Sequence, residues 1–178
     1  MKHIKTTAQI IDVLALCVAL RELNKEFILF LDIDDTTLSS LVGHKFVDKQ
    51  ICDVVDYVYK YNPMRLVFCT ARDHELIWYT KNQLNRAKLT HQGKYIHYNV
   101  VCSPYDMFGN PTKGRTIMSE LADVDKDVVV IFADDQRDQI DNVYAELYRT
   151  GREFALFHYT KAEDDLVEAM IGNRNNSI

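Results

Sequence analysis

Five short, largely apolar runs, at 27–31, 66–69, 98–102, 128–133 and 154–158, constrain this chain most. They are continuous rather than alternating, the pattern of strands covered on both faces. Segments of helical period separate them. At 46–61, Ile51, Val54, Val55 and Val58 share one face, and at 74–89 Leu76, Ile77, Tyr79 and Leu84 do the same. Further helices are expected at 112–122, 139–149 and 162–171, with Gly151 placed to end the middle one. Strands alternating with helices predict an α/β fold built on a mostly parallel, doubly wound sheet. A tail at 172–178 is expected to fray.

With 178 residues the natural expectation is a single domain spanning 1–178. Only 6 Gly and 3 Pro argue against long unstructured stretches. A net charge of −5 lacks the basic footprint of a nucleic-acid binder, so no nucleic-acid partner is expected. Cys17, Cys52, Cys69 and Cys102 form no CxxC pair. They read as buried free thiols of a reducing, cytoplasmic protein. The first 25 residues imitate a signal peptide, with an apolar run at 10–20 after two lysines. Asp12 interrupts that run, no small-residue cleavage site follows it, and it is too short to span a bilayer. It is expected to be an amphipathic helix capped by Thr6 or Thr7 and packed on the core.

Polar residues gather after the strands. Asp32-Ile33-Asp34-Asp35-Thr36-Thr37 follows the first, and Thr70-Ala71-Arg72 the second. Lys113 opens a helix, and Asp134-Asp135-Gln136-Arg137-Asp138 follows the fourth. Open α/β sheets bind ligands at such carboxyl ends. Asp32 and Asp34, two residues apart, suit a nucleophile beside a proton carrier. So dense a carboxylate cluster would repel phosphate unless a hard cation joined it. Mg²⁺ suits carboxylates, phosphate and water together. Asp134 is the third contributor, and Thr70 and Lys113 suit the remaining phosphoryl oxygens.

Asp-x-Asp-x-Thr after an apolar strand, then Thr70, Lys113 and the Asp134-Asp135 pair resembles the four-motif order of the haloacid dehalogenase (HAD) superfamily. The resemblance runs from about residue 27 to 160. It implies a three-layer, Rossmann-like sheet of order 3-2-1-4-5. It also implies a phosphomonoester phosphatase working through an aspartyl-phosphate. Asp32 would be nucleophile and metal ligand. Asp34 would be the general acid, then base, giving the metal its backbone carbonyl. Thr70 and Lys113 would bind phosphate, Asp134 the metal, and Asp135 or Asp138 would support it. Both spacings are present, so the two stay unranked. Thr37 departs from the Leu usual after the motif-one Thr. Arg72 and Arg137 are candidates for substrate binding or for surface ion pairs.

No gap between the motifs leaves room for a large cap, so the site is expected to be open. Either a macromolecular substrate or neighbouring subunit covers it, or a short flap at 41–45 does. The helix before motif one, Thr70-Ala71-Arg72, Lys113-Gly114 and Phe157-His158-Tyr159-Thr160 also resemble a capless HAD family common in intracellular bacteria, which raises export as an effector. Competing readings are a catalytically weak HAD-fold interaction module and a phosphorelay receiver, whose acidic pair would come first. Substrate and oligomeric state are not written in the sequence. The reading requires Asp32, Asp34 and Asp134 around one cation, and a lysine or arginine filling that space would end it.

Overall fold

Side chains on both faces of each central strand need cover, and the chain provides it with helices on both sides of one sheet. The computed structural model describes residues 2–40, 45–87, 90–91, 94–95, 99–162 and 165. In order, the elements are β1 (Lys2–Thr7), α1 (Ile11–Glu22), β2 (Phe27–Leu31), α2 (Ile51–Tyr61), β3 (Leu66–Thr70) and α3 (Ile77–Arg86). Then come β4 (Thr90–His91), β5 (Lys94–Tyr95), β6 (Asn99–Cys102), α4 (Lys113–Glu120), β7 (Val129–Asp134), α5 (Arg137–Thr150) and β8 (Phe154–Tyr159). The fold is α/β, Rossmann-like and doubly wound. Six parallel strands run β1-β8-β7-β2-β3-β6, and β4-β5 form a separate antiparallel pair.

The period-two pleat splits the strands between two cores. Phe27, Leu29 and Leu31 of β2 face α1, α2 and α3, with Val13, Cys17, Val54, Val58 and Leu84. Ile28 and Phe30 face α4 and α5, with Ile117, Ile140, Val143 and Leu147. Each such burial is worth about 1.5–3 kcal/mol, so a strand buried on both sides anchors both layers. Tyr61 stacks on Phe27 at 5.3 Å, and Tyr57 and Tyr59 pack partly buried beside it, as helix packing requires. All four cysteines are unpaired.

The sheet order differs from the expected one because a sixth strand extends it. Residues 2–7 pair with β8 along its whole length. β1 is mostly exposed, so neither its alternation nor its composition announced it. Thr6 and Thr7 therefore lie in a strand and do not cap α1, whose first turn has no side-chain cap. Thr7 instead donates its hydroxyl to Asp12, at 2.5 Å.

Other boundaries also move. The helix expected at 46–61 begins at Ile51, because Phe46 instead bridges to Leu38 after motif one. The segment expected as a helix from 74 opens with a single 3₁₀ turn, and α3 starts at Ile77. On α3 it is Thr80 and Leu84 that are buried, while Leu76, Trp78 and Tyr79 are exposed. Trp78, expected in the core or a groove wall, is 74% exposed. Gly151 ends α5 at φ 77, the left-handed conformation in which glycine carries no penalty. Most of the helix expected at 162–171, most of the flap at 41–45 and the tail at 172–178 fall outside the described residues. Among the described residues, no helix is long and apolar enough to cross a membrane.

Candidate active site

β2 and β7 are neighbours, and the chain leaves them toward opposite faces: β2 by way of α2, β7 by way of α5. Their carboxyl ends therefore border the crevice where ligands bind in such sheets. Asp32 continues β2, donating its N–H to the Ala133 carbonyl at 2.9 Å. Asp134 ends β7. Both are buried, and Lys113 at the start of α4 is buried between them. Its Nζ donates to Asp32 Oδ1 at 2.5 Å and to Asp134 Oδ2 at 2.6 Å.

Lys113 is placed by contacts distant in sequence. Gln139 Oε1 accepts the Lys113 N–H at 3.4 Å, and Asn142 Oδ1 accepts that of Gly114 at 2.7 Å. The first turn of α4 is thus capped from α5. A Cβ on Gly114 would stand 2.8 Å from the Asn142 carbonyl and side-chain oxygens, so only glycine lets the helices approach this closely. The preceding loop is fixed by hydroxyls: Thr112 donates to the Pro104 carbonyl at 2.6 Å, and Thr116 to Ser103 at 2.8 Å.

The motif-one turn is held from within. Thr37 is buried and donates its hydroxyl to the Asp32 carbonyl at 2.6 Å. The departure from Leu at this position thus ties down the backbone of Asp32. Leu38, one residue later, is buried in the core. Asp35 takes φ 58, a left-handed conformation that Asp tolerates better than most residues.

Asp32, Asp134 and Asp135 each offer a ligand oxygen, all within 4.8 Å of one another. This set fits a hard cation, with Asp135, expected as a supporting residue, beside Asp32 and Asp134. Asp134 keeps its Oδ1 on the Gln136 N–H at 2.8 Å. His158 Nε2 donates to the Asp135 carbonyl at 2.9 Å. Asp138 stands apart, receiving the Tyr105 hydroxyl at 3.1 Å. Lys113 does fill part of the space between Asp32 and Asp134, taking one oxygen of each. Asp32 and Asp134 thus belong both to this pairing and to the three-carboxylate group with Asp135.

Electrostatically the cluster is over-supplied with negative charge. Burial pushes Asp32 well above the usual carboxylate range, opposed by Lys113 and reinforced by Asp134 and Asp135. Burial likewise raises Asp134 against the pull of Lys113. Asp135 is pushed up to about 7, by burial first and then by Asp134. Burial alone would lower Lys113, but Asp32 and Asp134 outweigh it and raise it, so the ammonium keeps its proton. One buried cation does not balance three carboxylates, and a divalent ion would.

Asp34 is not in that carboxylate group, whose members are Asp32, Asp134 and Asp135. Both of its oxygens are taken by Arg72, Nε to Oδ2 at 2.8 Å and Nη2 to Oδ1 at 2.5 Å. Arg72 therefore presents its fork to Asp34. Thr70 is buried at the end of β3, its hydroxyl accepting the Arg72 N–H at 3.3 Å. Arg137 makes a surface pair with Asp141 at 3.0 Å. Among the expected residues, the fold brings together Asp32, Lys113, Asp134 and Asp135 in one group and Asp34 with Arg72 in another. The supporting roles of Gln139, Asn142, Gly114 and Thr37 were not anticipated, since each acts on a partner through the folded chain. Comparison with known proteins gives no match: no family model, curated protein or solved structure corresponds to this chain.

Proposed function

We propose that the chain is a Mg²⁺-dependent phosphomonoester phosphatase of the HAD type, acting through an aspartyl-phosphate on Asp32. The observation that carries the reading is the buried Lys113 shared by Asp32 and Asp134, with Asp135 in the same carboxylate group. Lys113 engages Asp32 Oδ1, which leaves Oδ2 to face phosphorus. In the first half-reaction Oδ2 attacks phosphorus, the ester P–O bond breaks, and Asp34 gives the departing oxygen a proton. In the second, Asp34 takes a proton from water, whose oxygen attacks phosphorus and releases phosphate with Asp32 restored. Asp32, Asp134 and Asp135 would hold Mg²⁺. Bound there, it neutralises negative charge on phosphate and carboxylates. Lys113 and the Thr70 hydroxyl would bind the phosphoryl oxygens.

The substrate reading stays broad: a phosphorylated metabolite or macromolecule entering an open crevice, in a reducing compartment or after export to a host cell. Hydrolysis of p-nitrophenyl phosphate with and without Mg²⁺ is the first test, followed by a screen over phosphorylated metabolites and phosphopeptides. Turnover should require the metal and vanish in Asp32→Asn, with circular dichroism unchanged. Activity that survives Asp32→Asn sinks the assignment.

A further inference from the structure

We propose that Arg72 is the positioning residue of Asp34, fixing the direction of that carboxylate instead of binding substrate. The inference rests on the phosphatase reading, because it concerns the group that hands a proton to the leaving oxygen. Arg72 grips Asp34 with two parallel N–H bonds, Nε at 2.8 Å and Nη2 at 2.5 Å. Such a fork sets the plane of a carboxylate as well as its distance. The remaining terminal nitrogen is braced on α3. Nη1 donates to Thr80 Oγ1 at 3.1 Å and to Gln83 Oε1. Gln83 in turn donates to the Tyr79 hydroxyl at 3.3 Å.

Burial orders the parts. Thr80 is fully buried, the Arg72 side chain is 15% exposed, and that of Asp34 is 38% exposed. The brace is inside, the fork lies over it, and the held carboxylate stands at the opening. A substrate-binding arginine would turn its fork to the crevice, whereas this one spends it on Asp34. The two basic residues of the site thus divide its carboxylates. Lys113 serves Asp32 and Asp134, and Arg72 serves Asp34. Without Arg72, nothing in this network fixes the direction of the Asp34 carboxylate. A misaimed proton carrier lowers the rate of the chemical step while leaving phosphate binding to Lys113 and Thr70 intact.

The test is steady-state kinetics of Arg72→Ala on phenyl phosphate and p-nitrophenyl phosphate, with binding of inorganic phosphate by calorimetry. The expected result is a kcat loss of about 10- to 100-fold on phenyl phosphate. The loss is smaller on p-nitrophenyl phosphate, whose leaving oxygen has less need of a proton. KM and phosphate affinity stay close to wild type, and added guanidinium ion restores part of kcat where methylammonium does not. A raised KM with weakened phosphate binding and preserved kcat overturns the inference and makes Arg72 a substrate ligand. Equal losses on both esters, or no loss, overturn it too. If Arg72→Ala does not fold, Arg72→Lys takes its place. It keeps the charge and loses the fork, and full kcat in it overturns the inference. Wild-type chain without Asp32-dependent turnover removes the phosphatase reading and this inference together, whereas active wild type with the wrong split removes only the inference.

Discussion

At the scale of single residues, charge balance governs the site. Lys113 pairs with two buried carboxylates, Asp32 and Asp134. Removing one member of a buried ion cluster typically costs about 3–5 kcal/mol, because the charges left behind have lost their partner. Lys113→Ala should therefore lose about that much in urea unfolding at neutral pH, together with phosphatase activity. A loss under 1 kcal/mol, the order of a surface pair, would contradict the buried arrangement. Asp135 gives a pH-dependent counterpart. Its carboxyl rises from an ordinary 3.8 to about 7 on folding. The folded chain then holds that proton more tightly than the unfolded chain. Stability is lost as pH climbs between those two values and changes no further above them. Without divalent metal, wild type should lose melting temperature relative to Asp135→Asn across this window; parallel curves would contradict the shift. The sequence made Asp32, Asp34, Thr70, Lys113 and Asp134 legible, because motif chemistry is local. It could not show that Asp34 pairs with Arg72, 38 positions away, or that Asp135 and not Asp138 joins the cluster. Those facts depend on side-chain direction at strand ends.

At the scale of elements, the close packing of α4 on α5 sets the lysine. An exposed Gly→Ala change in a helix gains about 1 kcal/mol from propensity. At Gly114 a methyl would meet the Asn142 carbonyl at 2.8 Å. Overpacking of this kind costs about 1–3 kcal/mol, so the contact outweighs the propensity. Gly114→Ala should lower both stability and kcat, since the residue before it is Lys113. A stabilised, fully active variant would show that the helices part without consequence. The core strands were legible because continuous apolar runs have few other uses. β2 matches its expected bounds, β3 and β8 each run one residue further, and β7 is shifted one residue along. Helix faces were less legible. Around α3, apolar identity pointed to Leu76, Ile77, Tyr79 and Leu84, yet of these Leu84 is buried, and Thr80 joins it. Thr80 is inside because it braces Arg72, a polar reason that hydropathy does not register.

At the scale of the whole molecule, the sheet delivers carboxylates from two neighbouring strands, β2 and β7, to one end, and a cation should bind them as a unit. Mg²⁺ at a hundredfold excess over its Kd stabilises the folded chain by about 2.7 kcal/mol. For a chain of this size that is roughly 5–10 °C in melting temperature. Asp134→Asn should abolish the increment, and an equal increment in that variant would place the ion elsewhere. Five strands of the main sheet were legible as apolar runs, while the sheet order differs from the expected one by a sixth strand. The sixth was not, because an exposed edge strand of lysines and threonines has no apolar signature.

That edge strand carries a further consequence, in the order of synthesis. β1 emerges from the ribosome before the other described strands, and among the described residues its strand partner is β8, about 150 residues later. That pairing waits until 154–159 emerge, and contacts of such long sequence separation form slowly. The nascent chain can assemble its middle strands early, but the sheet gains its last margin only when its two most distant strands meet.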